Sequence, residues 1–467
     1  MTTQWTMQEI LEATGGVCPG QFTATSVSID TRSLEKGALF VALPGAQVDG
    51  HEYVRDALLK GAVAALVSHP VEDVAPSKQV VVADVEKALH ALGHAARARS
   101  QAKFVGITGS VGKTGAKEML AAALAPLGRT YATKGNLNNH LGVPLTLANM
   151  PRDTQYAIIE MGMNHAGETH PLSMMAKPDI ALITTVAAVH LEHFPSVEAI
   201  ADEKAAIFDG MGGAGVAVLN MDHAHYARLK NHAEAKELDR VLSFGTGKEA
   251  VCRMTDYRIE QMQSVVEAVI AGTSLSYRLG TVGKHWALAS VAVLGTVDAL
   301  GVDLAKAAAV LEHFTEPKGR GKIERLSVKG GQLTLVDDSY NASPVSVEGA
   351  IGKIAELKQA APAPVRTLVV LGDMLELGED SEEMHVGLVP AIINNQMDLV
   401  FAAGTFMQGM YDALPETMKG AYRPTSRELA PVVVERLKPE DLVLVKGSRG
   451  SRMDIVAEAI RENADAL

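Results

Sequence analysis

A phosphate-binding loop is the clearest chemical feature of the sequence. Residues 106–114 read GITGSVGKT and lie between the apolar run 104–107 and the helix-forming run 116–127. Such a turn points backbone N–H groups and the positive end of a helix dipole at a phosphate. We predict that Lys113 reaches the terminal phosphates and that the Thr114 hydroxyl binds Mg²⁺. The predicted phosphate-binding residues are Gly109, Ser110, Val111, Gly112, Lys113 and Thr114.

The loop departs from the strict phosphate-loop pattern at one position. That pattern places glycine where this chain has Ile107. The alternative is a glycine turn that only packs a helix against a sheet. A Lys-Thr pair at the start of a helix has little packing value, so we favour nucleotide binding.

The elements around this loop alternate between short apolar strands and helical stretches, which predicts an α/β protein of three domains. We assign a small N-terminal α/β domain to residues 1–100, a central parallel-sheet domain with the phosphate loop to 101–315 and a C-terminal Rossmann-like domain to 316–467. The second boundary falls at TEPKGRG, residues 315–321, where Pro and Gly interrupt a helical pattern. The predicted strands are 38–43, 62–67, 79–82, 104–107, 156–160, 180–186, 216–219, 241–244, 333–337, 367–371, 399–402 and 442–445.

Composition excludes several classes of protein. The net charge of −12 leaves no basic footprint for nucleic acid or for an anionic membrane. The two cysteines, Cys18 and Cys252, suggest neither a disulfide framework nor a cysteine-rich metal site. No apolar run approaches a membrane span, and the N-terminus does not look like a secretory signal. The C-terminal segment also lacks the glycine fingerprint of a nicotinamide site. We expect a monomeric cytoplasmic protein without membrane insertion.

Several motifs together resemble the Mur ligase family. TGSVGKT at 108–114 is similar to the phosphate loop of that family, and the resemblance spans nearly the whole chain. Within the family, five ordered stretches look like the member that adds D-alanyl-D-alanine. They are GNLNNHLGVP at 135–144, EMGMN at 160–164, DDSYNASP at 337–344, LGDMLELG at 371–378 and VKGSR at 445–449.

The resemblance implies an ATP-dependent ligase. The γ-phosphoryl group of ATP would move to the terminal carboxylate of a UDP-N-acetylmuramoyl-tripeptide, and the amine of D-alanyl-D-alanine would attack the acyl phosphate. Phosphoryl transfer between anions is limited by charge repulsion and alignment, so cations and positioning should supply most of the catalysis. The implied cofactors are ATP and Mg²⁺, and the implied partners are the two substrates.

The resemblance also assigns roles to residues beyond the loop. Thr114 and Glu160 would hold a first Mg²⁺, whose preference is for hard oxygen ligands. His190 and Lys204 would hold a second, with Lys204 carbamylated by CO₂. Lys113, Lys204, His190 and Arg320 would be catalytic, with Arg320 reaching the ATP phosphates. Asn138 and Asp338 would contact the nucleotide. The implied substrate-binding residues are Ser28, Asp30, Thr31, Arg32, Asp49, His51, Asn136, Asn139, Asn341 and Lys446.

Two positions depart from the family pattern. Thr114 is followed by Gly115 and Ala116, where the family usually has further threonines. Trp286 stands where the family often has an asparagine near adenine. The adenine contact therefore stays open.

Three other functions share some of these sequence features. The sibling ligase that adds the third amino acid has diaminopimelate-type members with an Asp-Asn-Pro-Arg motif, and this sequence lacks that string. A folylpolyglutamate synthase would not need a uridine-nucleotide domain. A phosphate-loop protein could also act as a switch or scaffold without ligase chemistry. Whether the tripeptide ends in diaminopimelate or lysine stays open.

Overall fold

The computed structural model describes residues 4–45, 48–328 and 330–464. They form three consecutive α/β units with sheets of four, nine and six strands, and a two-stranded ribbon near the N-terminus. We call each sheet with its helices a layer: the N-terminal, central and C-terminal layer. The predicted fold class is confirmed. The domain boundaries at 100 and 315 stay predictions.

The N-terminal segment forms a four-stranded parallel sheet in the order β3-β4-β5-β6, with β1 and β2 paired antiparallel beside it. The two middle strands are buried along their whole length, as continuous apolar runs in parallel sheets are. The elements are β1 (Trp5–Thr6), α1 (Met7–Thr14), β2 (Thr23–Ala24), β3 (Ser26–Ser28), β4 (Ala38–Val41), α2 (Val54–Leu59), β5 (Ala64–Val67), β6 (Gln79–Val81) and α3 (Val85–Arg99).

The central sheet has the order β15-β14-β13-β12-β11-β10-β7-β9-β8. It is parallel from β8 to β13, and β14 and β15 then extend it antiparallel. The elements are β7 (Lys103–Thr108), α4 (Lys113–Leu124), β8 (Thr130–Ala132), α5 (Gly142–Ala148), β9 (Tyr156–Glu160), α6 (Thr169–Ala176), β10 (Ile180–Ile183), α7 (Val197–Ala205), β11 (Val216–Asn220), α8 (Tyr226–Ala235), β12 (Arg240–Gly245), β13 (Cys252–Glu260), β14 (Gln263–Ile270), β15 (Thr273–Leu279), α9 (Lys284–Ala299) and α10 (Leu304–Val310).

The helix α3 joins the first two layers. Asp84 caps its N-terminus by accepting a hydrogen bond from the Lys87 N–H, and Leu89 and Leu92 on its buried face enter a core that continues into the central sheet. Gly93 faces α5, where a Cβ would lie 2.9 Å from the Pro144 Cα. The absence of a side chain therefore lets the two helices pack closely.

The C-terminal sheet has the order β16-β17-β21-β18-β19-β20. Its first two strands form an antiparallel hairpin, and the remaining neighbours are parallel, with the last strand inserted between β17 and β18. The elements are β16 (Lys322–Val328), β17 (Gly331–Asp338), α11 (Pro344–Ala360), β18 (Thr367–Gly372), α12 (Ser381–Val386), α13 (Val389–Asn394), β19 (Leu399–Ala403), α14 (Met407–Asp412), β20 (Lys419–Arg423), α15 (Ser426–Arg436), β21 (Leu442–Lys446) and α16 (Asp454–Asn463).

Short 3₁₀ turns lie between these elements, at Gly50–Tyr53, Pro76–Lys78, Leu191–His193, Ala206–Phe208, Leu311–His313, Gly378–Asp380, Glu416–Met418 and Arg449–Ser451. Within the described residues, no helix is both long and apolar enough to cross a membrane.

Candidate active site

A cavity of about 790 Å³ separates the central and C-terminal sheets. The segments that follow parallel strands of both sheets line it, as is usual for ligand sites in α/β folds. From the central sheet these are Ser110 after β7, Gly162 after β9 and Thr184 after β10; from the C-terminal sheet they are Leu375 after β18 and Ser448 after β21.

The phosphate loop forms one wall of this cavity. Gly109 has φ +147°, and a Cβ there would lie 2.0 Å from the Thr184 hydroxyl oxygen, so the close approach requires glycine. Gly112 has φ +88° and starts α4 at Lys113, earlier than the predicted run 116–127. The Lys113 Nζ donates to the Gly109 carbonyl at 2.5 Å, and desolvation in the cleft lowers its pKa. This lysine is therefore held beside the loop in which a phosphate would lie.

Thr114 and Glu160 meet at the base of the loop. The Thr114 hydroxyl donates to one Glu160 carboxylate oxygen at 3.1 Å, and the Asn138 amide donates to the same oxygen at 2.9 Å. The other oxygen is buried and has no hydrogen-bond partner among the described residues. A buried carboxylate oxygen with spare capacity beside a hydroxyl fits a hard cation such as Mg²⁺.

Lys117 supports this carboxylate and was missed in the sequence. Its side chain is fully buried on α4, with Nζ 3.7 Å from the Glu160 oxygen that accepts no hydrogen bond among the described residues. It donates to the carbonyls of Thr133 and Gly135 at 2.6 and 3.3 Å. Lys117 therefore ties the 133–135 segment to the base of the phosphate loop. The sequence feature that could have identified Lys117 is its position one helical turn after Thr114 in an alanine-rich helix.

His190 also lines the cavity and lies in a turn with φ +56°. Its Nδ1 contacts the Glu376 carboxylate of the C-terminal layer. Burial lowers the pKa of His190, and Glu376 partly opposes this shift. A neutral imidazole is the form that binds metal ions. Glu376 was not among the predicted site residues.

Lys204 is buried near the end of α7, with 1% of its surface exposed. Burial lowers its pKa well below the usual value, and the Lys113 charge adds to this effect. Among the described residues, no hydrogen bond or ion pair holds its ammonium group. Burying an unpaired ammonium is costly, which favours the neutral amine.

The C-terminal layer supplies the facing wall. The Arg320 guanidinium carbon lies 4.2 Å from the centre of the Tyr340 ring. Asp338 pairs with the Lys446 Nζ at 2.7 Å, and that Nζ also donates to the Asn341 carbonyl at 2.9 Å. Burial raises the pKa of Asp338, and Lys446 opposes the shift. Four predicted residues from distant motifs thus meet in the cavity lining.

A buried ion pair anchors the Arg320 segment. The Lys353 Nζ on α11 lies 2.7 Å from a Glu316 carboxylate oxygen and donates to the Gly321 carbonyl at 2.7 Å. The Thr281 hydroxyl donates to the same carboxylate from the central layer. Glu316 and Gly321 flank Arg320, so these contacts hold the connection between the two layers. The pair was not predicted.

Gly115 and Trp286, which both depart from the family pattern, lie in contact with each other. A Cβ at Gly115 would lie 2.6 Å from the Trp286 ring, so the indole occupies the space of a larger side chain at 115. Trp286 is 7% exposed, and its ring centre lies 5.6 Å from that of Phe314. The pair is therefore one packing arrangement in the cavity wall.

The other predicted substrate residues fall into two groups. Asn136 and Asn139 line the cavity, and the Asn139 side chain also accepts a hydrogen bond from the Gly142 N–H at 2.9 Å. The N-terminal residues lie outside the cavity lining. Those residues are Ser28, Asp30, Thr31, Arg32, Asp49 and His51.

The N-terminal candidates pair with one another in two short turns. Arg32 binds the Asp30 carboxylate at 2.6 Å. Asp49 binds the His51 Nδ1 at 2.6 Å, and the His51 Nε2 accepts a hydrogen bond from the Ser68 N–H at 2.9 Å. Both nitrogens of this buried ring are thus engaged, and a substrate contact by His51 stays a prediction.

Comparison with known proteins agrees with the motifs. Residues 23–100 match the family description "Mur ligase family, catalytic domain", residues 107–297 "Mur ligase middle domain" and residues 323–449 "Mur ligase, glutamate ligase domain". A UDP-N-acetylmuramoyl-tripeptide--D-alanyl-D-alanine ligase from Rickettsia prowazekii is 33% identical over 97% of this chain and 99% of its own. The chain belongs to the Mur ligase family. The predicted resemblance is confirmed.

Solved structures of Mur ligases match the fold over nearly the full chain. MurF from Acinetobacter baumannii superposes with a TM-score of 0.84 at 28% identity, covering 98% of this chain and 99% of the other. MurF from Thermotoga maritima, solved in complex with ADP, gives 0.78 at 25% identity over 94% and 97%. The similarity therefore covers all three sheets.

Proposed function

We propose that this Mur ligase joins D-alanyl-D-alanine to a UDP-N-acetylmuramoyl-tripeptide with consumption of ATP. ADP and phosphate are the other products. The supporting observation is the cleft itself, where the phosphate loop and the Thr114–Glu160 pair face Arg320, Asp338 and Lys446. Relatives that carry the name of this activity match 94–98% of the chain.

Charge distribution in the cleft suits phosphoryl transfer to a carboxylate. Both reactants are anions, so their approach requires cations and in-line positioning. Lys113 and Arg320 supply positive charge from opposite walls, and the phosphate-loop N–H groups supply oriented dipoles. The D-alanyl-D-alanine amine then attacks the acyl phosphate. Two walls from different layers also keep water away from this hydrolysable intermediate.

Mg²⁺ would be held at two places: one between cavity-lining residues, and one between His190 and Lys204, of which only His190 lines the cavity. Thr114 and Glu160 would bind one ion together with phosphate oxygens, and His190 and Lys204 would support another. The described residues contain no cluster of three or more His, Cys, Asp or Glu side chains that could hold a metal alone. Nucleotide oxygens and a modified lysine would therefore have to complete the ligand sets. Bound Mg²⁺ would neutralise charge developing on the transferred phosphoryl group.

Carbamylation of Lys204 is part of the proposal. Reaction with CO₂ requires a neutral amine, and burial favours that form at this position. The product carries a negative charge and two oxygen atoms, which suit Mg²⁺. An unmodified ammonium would instead repel the cation.

A coupled phosphate-release assay tests the reaction. The purified chain with Mg²⁺ and ATP should release phosphate only when both UDP-tripeptide and D-alanyl-D-alanine are present. Parallel assays with tripeptides that end in diaminopimelate or lysine identify the third residue. Release that requires an amino acid and a dipeptide precursor would instead indicate the sibling ligase. Release without dependence on any acceptor would contradict ligase function.

A further inference from the structure

Glu376 contacts the predicted metal ligand His190 from a different layer of the molecule. It belongs to the LGDMLELG motif at 371–378, for which the proposed function assigns no role. The two residues lie 186 positions apart, and the His190 Nδ1 meets the Glu376 carboxylate directly. The Glu192 N–H also donates to the Glu376 carbonyl at 3.4 Å.

The loop that carries Glu376 is firmly attached to the C-terminal layer. The Asp373 carboxylate accepts a hydrogen bond from the Met407 N–H at 2.9 Å. The Met374 N–H donates to the His385 Nε2 at 2.9 Å, and the Leu375 N–H donates to the Ser448 hydroxyl at 2.9 Å. Three consecutive residues are thus fixed immediately before Glu376, which therefore moves with its own sheet.

The contact determines which nitrogen of His190 can face a cation. When Nδ1 carries the proton and donates it to Glu376, Nε2 keeps its lone pair. Carboxylates that accept the second N–H of a histidine ligand fix the orientation of its ring and raise its basicity. Because Glu376 is held by the C-terminal layer, it can orient the His190 ring only while that layer is docked against the His190 turn.

We propose that Glu376 is a positioning residue that couples docking of the C-terminal layer to assembly of the His190 metal site. The inference rests on the proposed function, because it requires His190 to be a metal ligand. It gives a role to a glutamate of the 371–378 motif whose carboxylate contacts His190 of the central layer. Mg²⁺ would bind tightly only in the closed arrangement.

The test measures the Mg²⁺ requirement of the full-length chain. Variants Glu376→Ala, Glu376→Gln, His190→Ala and the double Ala variant are compared with Glu379→Ala. Glu379 is exposed in the same loop and makes no side-chain hydrogen bond within the described part of the chain. Two quantities are measured: the Mg²⁺ concentration for half-maximal phosphate release, and calorimetric binding of ADP at a series of Mg²⁺ concentrations.

We expect Glu376→Ala to raise the half-saturating Mg²⁺ concentration about 10- to 100-fold in both measurements. Glu376→Gln keeps an acceptor oxygen and should recover part of the loss, and Glu379→Ala should match the wild type. If Glu376 acts through His190, the double variant should be no worse than His190→Ala, because the two effects share one interaction. A structural role would lower the melting temperature without changing the Mg²⁺ requirement.

Three outcomes would overturn the inference and can be told apart. If His190→Ala raises the Mg²⁺ requirement but Glu376→Ala behaves like Glu379→Ala, the role of Glu376 fails and the metal assignment survives. If His190→Ala leaves Mg²⁺-dependent ADP binding unchanged, the metal assignment fails and the inference fails with it. Multiplicative effects in the double variant would also contradict action through His190.

Discussion

Charged residues behave differently in the central cleft and in the N-terminal candidate site. In the cleft, one Glu160 oxygen is buried without a hydrogen-bond partner among the described residues. Lys204 is buried outside the cavity lining, and its amine makes no side-chain hydrogen bond in the described part of the chain. In the N-terminal turns, Asp30 pairs with Arg32 and Asp49 pairs with His51. The first set is buried with unused bonding capacity. The second is locally satisfied and, apart from the buried His51 ring, exposed.

The difference indicates how much each region depends on its ligand. A buried polar atom without a partner costs about 1–3 kcal/mol, which a bound cation or phosphate can offset. Exposed pairs contribute about 0–1 kcal/mol and can exchange partners cheaply. We therefore expect substitutions in the cleft to remove activity and substitutions in the N-terminal turns to change affinity modestly.

The largest effect should come from Lys113→Ala. Removing one preorganised donor to developing charge costs about 2.7–4 kcal/mol, so kcat should fall roughly 100- to 1000-fold. The melting temperature should stay near the wild-type value, because the Nζ bonds only a carbonyl of its own loop within the described structure. Lys87→Ala, at an exposed position on α3, serves as the matched control. A near-normal kcat would mean that the loop is structural.

Lys204→Ala should lose about 100-fold in activity while the chain stays folded. The expected cause is loss of the carbamate oxygens, so acetate that enters the vacated space should restore part of the rate. Mass spectrometry under CO₂ should detect the labile adduct in the wild type only. Full activity of Lys204→Ala, or a bare amine in a Mg²⁺–ATP complex at high resolution, would exclude carbamylation.

Substitutions in the N-terminal turns should separate binding from stability. Arg32 is 88% exposed, so Arg32→Ala should leave the melting temperature unchanged. The KM for UDP-tripeptide should rise roughly 10-fold, because a hydrogen bond to a charged group contributes about 1.5 kcal/mol. The KM for ATP should not change. Equal effects on both KM values would contradict the assignment of this region to the uridine nucleotide.

His51→Ala provides the contrast within the same region. Its ring is buried and both nitrogens are engaged, so truncation should lower stability by about 1–3 kcal/mol. Thermal unfolding and UDP-tripeptide binding measured on the same preparation decide between the two roles. A large loss of binding at unchanged stability would assign His51 to the substrate.

The smallest effect concerns the pH dependence of stability at Glu9, which joins α1 to the central layer through Arg152. Burial raises the pKa of Glu9, but hydrogen bonds from Arg152 and Thr6 outweigh this and lower the pKa to about 2. A carboxylate whose pKa is lowered by folding stabilises the fold at pH values above its pKa in the unfolded chain. This contribution is lost as the pH falls towards 2.

Glu9→Gln should therefore lower the free energy of unfolding at pH 7 by less than about 1 kcal/mol, which lowers the melting temperature slightly. The difference between the two proteins should vanish near pH 2. Melting curves of both proteins from pH 2 to 7 check this. A difference that grows on acidification would contradict the sign. Both pH series should be measured at the same salt concentration, because salt screening weakens exposed ion pairs.

Twelve of the strands were predicted from the sequence, and the strands β1, β2, β3, β8, β13, β14, β15, β16 and β20 were not. The strand at Tyr156–Glu160 has the predicted bounds, and the other predicted parallel strands differ from those observed by a few residues at their ends. The antiparallel extension formed by β14 and β15 was not predicted, because polar residues such as Glu267 and Arg278 interrupt the apolar runs that marked the other strands. Its pairing also depends on the sheet edge offered by β13.

Local sequence determined the features built from a few consecutive residues. The phosphate loop, its glycine backbone geometry and the order of the family motifs follow from short-range steric and hydrogen-bonding rules. These features were sufficient to predict the family and the fold class.

Tertiary structure alone decided which distant side chains meet. The contact of His190 with Glu376, the buried Lys353–Glu316 pair and the packing of Trp286 on Gly115 join segments that are far apart in the chain. No local pattern encodes such contacts, because they depend on how separately formed sheets and helices pack. Burial then determines which charges keep their partners and which are left to bind a ligand.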